Sequence, residues 1–298
     1  MTRTDDRYPS RKVDEPTLVE REEPVVWGSA EDGPLTADQL AGFDRDGFLQ
    51  LPNLFSADEV HGMLDELRRL QDAPAVREAE GTISDPDTGD IRSVFTVQDH
   101  SDLFDKVIRD DRTAGAARQI LGSEVYLHHT RVNDKPGFGG SGFNWHSDFE
   151  TWHTEDGMPG MRCVSASILL TDNHSQNGPL LLIPGSQRTF IACVGATPER
   201  NWEQSLKNQV AGVPDEELIA RMHTEHGLHV GTGEAGSVIF FECNTLHASN
   251  GNVTKDRRSN VFAVYNSVEN ALVEPFEAPT PRPAFLANRD ATPLTTVG

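Results

Sequence analysis

From about residue 124 the chain breaks into short apolar segments separated by turn residues, and this spacing constrains the fold more than any other feature. Val125–His128, Val164–Leu170, Gly178–Pro184, Ser237–Phe241 and Asn260–Tyr265 are each about one strand long. Regularly spaced short strands predict an all-β sandwich or barrel. Between about 198 and 229 the pattern turns helical, over Asn201–Gln209 and Asp215–His223. Residues 35–123 read mainly as helix. Thr36 caps a helix that Gly47 ends, Phe48–Leu51 alternates as a strand, and Ser56-Ala-Asp-Glu59 is a capping box. Behind it Val60, Met63, Leu64, Leu67 and Leu70 form one apolar helix face. A further helix is predicted over Ala114–Leu121. Residues 1–34, polar and rich in Pro, Arg and Glu, predict an extended arm with a short strand at Pro24–Trp27. The expected architecture is mainly β with flanking helices. One domain spans 35–298: a helical buttress over 35–123, then a double-stranded β-helix (jelly-roll, cupin-like) core over 124–275 with a helical insertion at about 198–229.

Charge narrows the function classes. The chain has 26 Lys and Arg against 47 Asp and Glu, a formal charge of −21. That balance disfavours nucleic acid and anionic membrane as partners, since both need clustered basic residues. No apolar run is long enough for a membrane span, and the N-terminal residues have no apolar signal core, so the expected compartment is the cytoplasm. Cys163, Cys193 and Cys243 are far apart with no CxxC pair, which points to small buried residues rather than a disulfide framework or cysteine zinc site. His61, His100, His223, His226 and His229 lie in helical or polar stretches and read as surface residues.

His146 stands apart, in Phe143-Asn-Trp-His-Ser-Asp-Phe149. His146 and Asp148 are two apart, so on a strand they share a face. His247, just after the apolar strand at 237–241, can supply a third ligand from another strand. Two His and one carboxylate make the facial triad of non-haem Fe(II) oxygenases, with open positions left for chemistry. An H-x-D pair alone is common, and two further features strengthen it. Arg258 lies eleven residues past His247 at the start of the next strand, where its guanidinium can enter the same cavity. Arg binds carboxylates bidentately, which suits the distal carboxylate of 2-oxoglutarate, and Ser249 can share it. Arg257 reads as a surface charge. A non-catalytic jelly-roll scaffold would have lost a ligand or Arg258, and all four are present. A zinc hydrolase would keep a dedicated general base beside the metal.

The stretch Phe143-Asn-Trp-His-Ser-Asp-Phe-Glu-Thr-Trp-His-Thr-Glu-Asp-Gly-Met-Pro159 closely resembles the signature of the bacterial ectoine hydroxylases. These belong to the phytanoyl-CoA-dioxygenase-like branch of the Fe(II)/2-oxoglutarate oxygenases. Further segments fit, among them Asn177-Gly-Pro-Leu180, Ile183-Pro-Gly-Ser186 and Phe241-Glu-Cys-Asn-Thr-Leu-His247, so the resemblance covers roughly 6 to 290. It implies His146, Asp148 and His247 as iron ligands, with 2-oxoglutarate and O2 as co-substrates. Asn133, Phe143, Ser249 and Arg258 are implied around 2-oxoglutarate. Around the substrate it implies Phe95, Arg131, Thr151, Trp152, Ser167, Phe241 and Phe262. The implied reaction is hydroxylation of ectoine to 5-hydroxyectoine with release of succinate and CO2, and the implied assembly a homodimer. One residue departs from the pattern: His129 stands where the family usually has a substrate-contacting Gln. An unperturbed imidazole, unlike an amide, titrates near neutrality. The departure keeps a second substrate class open, another small cyclic amino acid such as proline or pipecolate.

Overall fold

The computed structural model of the chain describes residues 6–85, 88–139, 141–206 and 209–297. Its strands are, in order, β1 (Thr17–Glu20), β2 (Phe48–Leu51), β3 (Thr82–Ser84), β4 (Ile91–Phe95), β5 (Val125–Lys135), β6 (Phe143–His146) and β7 (Cys163–Leu169). There follow β8 (Leu180–Leu182), β9 (Thr189–Ala192), β10 (His229–Gly231), β11 (Val238–Glu242), β12 (His247–Ser249) and β13 (Arg258–Ser267). A seven-stranded sheet runs β2-β11-β7-β13-β5-β4-β3, a four-stranded sheet runs β10-β8-β12-β6, and β1 pairs with β9. Leu169, Ile239, Phe241 and Phe262 of the larger sheet pack with Leu180 and Leu182 of the smaller. The two sheets therefore face each other as the jelly roll that the strand spacing predicts. The outer face of the larger sheet meets helices: Val132, Phe240 and Val261 share a core with Met63, Leu67, Phe104 and Ile120.

Thr36 and Ser56 both form complete capping boxes, and Gly47 ends the first helix at φ 78°. The helix Ala57–Asp72 buries Val60, Met63, Leu67 and Leu70. All three cysteines are buried and free. Among the described residues no helix is long and apolar enough to cross a membrane.

Several expectations change. The region 35–123 carries, besides its helices and the expected strand β2, two further strands, β3 and β4, that extend the larger sheet. The helix expected from Ala114 begins as a π turn, Asp111–Gly115, and becomes α-helical at Ala116–Leu121. The arm's strand is Thr17–Glu20, not Pro24–Trp27: β9 offers an open edge that Thr17–Glu20 can pair with, whereas Pro24 has no N–H to donate. The insertion carries helices at Asn201–Ser205 and Glu216–His226. Gln209, expected in the first, lies outside it, and Lys207 and Asn208 fall outside the described residues. His229 is half-buried with its ring 4.6 Å from that of Phe48, rather than a free surface residue.

Candidate active site

β5 carries its site residues at a period of two. His129, Arg131, Asn133 and Lys135 line the cavity between the sheets, while Val132 and Asp134 face the helices. Neighbouring strands continue the same rows. Phe95 and Phe262 stand on either side of Arg131, and Arg258 lies directly opposite Lys135. The smaller sheet closes the other side, with His146 opposite His247. The cavity has a volume of about 200 Å³.

The three candidate ligands do not come together as strand alternation predicts. β6 ends at His146, and Asp148 opens a short helix, Asp148–Thr151, capped by Ser147. The turn into that helix folds the carboxylate back onto the imidazoles. Asp148 Oδ1 lies 3.5 Å from His146 Nε2 and 3.8 Å from His247 Nε2. One ligand atom from each residue lies within 4.8 Å of the others, the one such trio of His, Cys, Asp or Glu among the described residues. Each imidazole donates Nδ1–H to a backbone carbonyl, His146 to Asn144 at 2.8 Å and His247 to Thr245 at 2.9 Å. Both Nε2 lone pairs are thereby directed to Asp148. Burial, then the neighbouring His146, pushes His247 down to about 4. Burial tends to raise Asp148, but His247, His146 and Arg131 outweigh it and hold the carboxyl below the usual range. A neutral His247 beside an ionised Asp148 is the protonation pattern that binding a divalent metal requires of these two groups. The donor set fits iron of the 2-His-1-carboxylate type.

One end of the cavity is cationic. Arg258 is 5% exposed. Its Nη1 donates to the Gly178 carbonyl at 2.7 Å, and its Nε has no partner. Burial pushes this guanidinium down to about 10, against the pull of Asp134. Gly178 sits at φ 75°, and a Cβ there would lie 2.3 Å from the Asn250 carbonyl. Glycine alone brings this carbonyl under Arg258. Lys135 Nζ donates to the Asn250 carbonyl at 2.6 Å and reaches the Ser249 hydroxyl at 3.4 Å, and neither partner is a carboxylate. Burial, then Arg258 and Arg92, pushes Lys135 down to about 7. Two sequestered cations that lack a counter-charge between them make an anion site. Ser249, Asn133 and Phe143 line the same cavity, Asn133 accepting from the Ser93 hydroxyl at 2.8 Å and Phe143 packing 5.0 Å from the His146 ring. Lys135 was invisible to a reading that ended this strand at His128; carrying the alternation on from His129 reaches it. Arg257 is half-exposed, yet its Nη2 donates to buried Asp134 at 2.6 Å.

The other end is aromatic. Arg131 lies 4.6 Å from the Phe262 ring centroid and 5.8 Å from that of Phe95. Trp152, 3% exposed, meets the rings of His128 and His129 edge-on and still contributes to the cavity wall. Phe241 packs 5.0 Å from the His247 ring. His129 Nε2 lies 2.9 Å from Arg131 Nη1, and only the arginine can donate. The imidazole proton therefore sits on Nδ1, which is buried and has no protein partner. Burial, then Arg131 and His128, holds His129 well below its ordinary value, so it does not titrate near neutrality as its sequence alone suggests. Thr151 Oγ1 accepts from Gln209 Nε2 at 2.9 Å, and Gln209, a wall residue absent from the sequence reading, comes from the helical insertion. Ser167 is the one expected contact that is off the wall. It is fully buried, its hydroxyl accepts from Asn260 at 3.1 Å, and its cross-strand neighbour Phe262 takes the wall position.

The segment from Asp148 to Asp156 is held by distant parts of the chain. Its helix passes into a π turn, Trp152–Asp156, that Gly157 ends at φ 82°. Asp156 is fully buried and accepts two bonds from Arg282, at 2.7 and 2.6 Å. Arg289 donates to the Asp156 carbonyl at 2.8 Å.

Known proteins share this arrangement. The phytanoyl-CoA dioxygenase (PhyH) family matches residues 43–260. An ectoine dioxygenase from Stutzerimonas stutzeri is 54% identical over 96% of this chain and 95% of its own. One from Streptomyces avermitilis is 52% identical over 99% and 100%. Among solved structures, EctD from S. alaskensis with 2-oxoglutarate and 5-hydroxyectoine superposes with a TM-score of 0.89 at 44% identity, covering 98% of both chains. The same protein with bound Fe gives a TM-score of 0.88 at 43% identity, with the same coverage. With a family match across most of its length and half its residues shared with full-length relatives, this chain belongs to the phytanoyl-CoA dioxygenase family, alongside the ectoine dioxygenases.

Proposed function

We propose that the protein is an Fe(II)- and 2-oxoglutarate-dependent dioxygenase that hydroxylates ectoine to 5-hydroxyectoine, releasing succinate and CO2. The observation that carries the reading is one cavity with a cationic end at Arg258 and Lys135, a His–Asp–His trio, and an aromatic end around Arg131. The S. alaskensis relative, crystallised with the co-substrate and the product, supports it.

His146, Asp148 and His247 would hold the iron. When bound, Fe(II) supplies O2 activation coupled to oxidative decarboxylation of 2-oxoglutarate. Arg258, with Lys135 and Ser249, takes the distal carboxylate, and Asn133 and Phe143 flank the co-substrate. Ectoine is a cyclic amidine bearing a carboxylate. Phe95, Trp152, Phe241 and Phe262 offer ring faces to its delocalised cation. Arg131 and Thr151 donate toward its carboxylate, with His129 orienting Arg131 by accepting from it at Nε2. Ser167 supports this wall through Asn260. The aromatic walls also keep water from the reacting centre. The catalytic unit in this reading is 35–298, with the described part of the arm, residues 6–34, packed against it. A cytoplasmic homodimer serving compatible-solute synthesis under osmotic stress is the setting that accords with it.

The test is turnover on a panel of ectoine, proline and pipecolate with Fe(II) and 2-oxoglutarate, products identified by mass spectrometry. Hydroxyectoine with stoichiometric succinate is expected. A higher kcat/KM on proline or pipecolate would move the substrate and keep the iron chemistry. Equal activity with Zn(II) would remove the iron chemistry itself.

A further inference from the structure

We propose that Arg11, on the N-terminal arm, is a positioning residue for the substrate end of the cavity. This rests on the ectoine-hydroxylase reading. Arg11 is 2% exposed and takes a left-handed backbone, φ 59°. The arm is stitched to the strand edge beside it, Arg11 N–H donating to the Cys193 carbonyl at 2.7 Å and Cys193 N–H to the Ser10 hydroxyl at 2.9 Å. From there the guanidinium reaches behind the segment that carries Asp148. It grips Glu150 bidentately, through Nε at 3.0 Å and Nη2 at 2.7 Å, and Glu155 through Nη1 at 2.6 Å. Both carboxylates are buried.

The same contacts lead to the cavity. Thr151, next to Glu150, lies 3.4 Å from Arg11 Nη2 and accepts from Gln209 on the insertion. Glu155 also accepts from Asn201 of the insertion at 2.7 Å, and Arg11 Nη1 reaches Thr197 at 3.2 Å. One buried guanidinium thus sets the wall segment bearing Thr151 and Trp152 and fastens the insertion over it. The co-substrate end, built on β5, β12 and β13, has no share in these bonds. Arg rather than Lys is required, because only a planar fork serves two carboxylates at once.

The experiment compares wild type with Arg11→Met and, since that variant leaves two buried carboxylates without their cation, with Arg11→Lys, which keeps the charge. Each is assayed for KM of ectoine and of 2-oxoglutarate, hydroxyectoine formed per succinate, and amide hydrogen exchange over residues 195–206. For Arg11→Lys, misplacement of the wall should raise the ectoine KM on the order of tenfold and leave that of 2-oxoglutarate within about twofold. Hydroxyectoine per succinate should fall, and exchange at 195–206 should quicken. Wild-type ectoine KM and coupling, whatever the melting temperature, would overturn the proposal, as would an equal rise in both KM values. If wild type proves inactive on ectoine, the functional reading fails separately. The KM split is then read on the substrate it does turn over, and unchanged exchange at 195–206 overturns the role of Arg11 without any turnover.

Discussion

Replacing Arg258 with Met should make the empty protein more stable and the enzyme far worse. The guanidinium is 5% exposed, has one backbone partner, and leaves Nε unpaired. Its fall from an ordinary arginine value to about 10 is caused by burial, and corresponds to roughly 3 kcal/mol against the charged form. Because the folded-state value lies below the unfolded one, this penalty is present in full at neutral pH and is relieved only above about 10. Met fills much of the same volume without the charge, so the ligand-free melting temperature should rise. The co-substrate then loses its charged partner. Truncating one side of a buried charge pair costs roughly 2–5 kcal/mol, and at 1.4 kcal/mol per decade this is about 30-fold to several thousand-fold in the 2-oxoglutarate requirement. Differential scanning fluorimetry with and without 2-oxoglutarate reads both effects at once. Wild type should gain melting temperature with ligand, and Arg258→Met should start higher and gain nothing. A variant that melts lower than wild type when empty, and binds 2-oxoglutarate as well, would show that Arg258 is a structural cation already paired within the protein.

Asp148→Ala and His247→Ala should each fold and lose iron, read by metal content after reconstitution, since a facial trio has no spare ligand; normal iron in either removes that residue from the site. Lys135, pushed down to about 7, should lose its charge as pH rises through that value, so the 2-oxoglutarate KM should climb between about pH 6 and 8. Lys135→Met should be flat over the same range, and a sloping profile in the variant would refute the assignment. His129→Gln should keep ectoine hydroxylation and leave the pH profile unchanged, because the imidazole is already neutral; loss of a step near pH 6–7 would contradict its burial. Arg257→Ala should lower the melting temperature modestly by removing the cation from buried Asp134, which keeps only Gln71 and Ser259, with the 2-oxoglutarate KM unchanged.

The parts of the fold set by local chemistry were legible in the sequence. The capping boxes at Thr36 and Ser56 and the β core of short apolar strands needed only neighbours in the chain. The trio was legible in identity but not in geometry, since Asp148 gets its place from a helix cap at Ser147 rather than from alternation. Lys135 was lost because β5 runs on through polar residues, buried because β4 and β13 cover both its edges. Periodicity of polar side chains carries no hydrophobic signal to mark a strand. Ser167 illustrates the opposite limit. It pairs directly with Phe262 and shares its face of the sheet, yet the larger ring reaches the cavity and the small hydroxyl stays buried beside it, which residue type alone does not show. The arm's strand depended on an edge supplied by β9, more than 160 residues later, which no local pattern contains.

The bracing of the Asp148 segment has a consequence for biosynthesis. Arg11 emerges from the ribosome 139 residues before its partner Glu150, and Arg282 follows Asp156 by 126. Contacts this far apart in sequence form late, because the intervening chain must first be collected. A nascent chain that has already made His146, Asp148 and His247 still lacks the arginine that neutralises Asp156. Its ligand-bearing segment, though gripped by Arg11 at Glu150 and Glu155, is not anchored at Asp156 until Arg282 and Arg289 have been made. A chain truncated before Arg282 should therefore load iron poorly, which metal content of such a truncation would show.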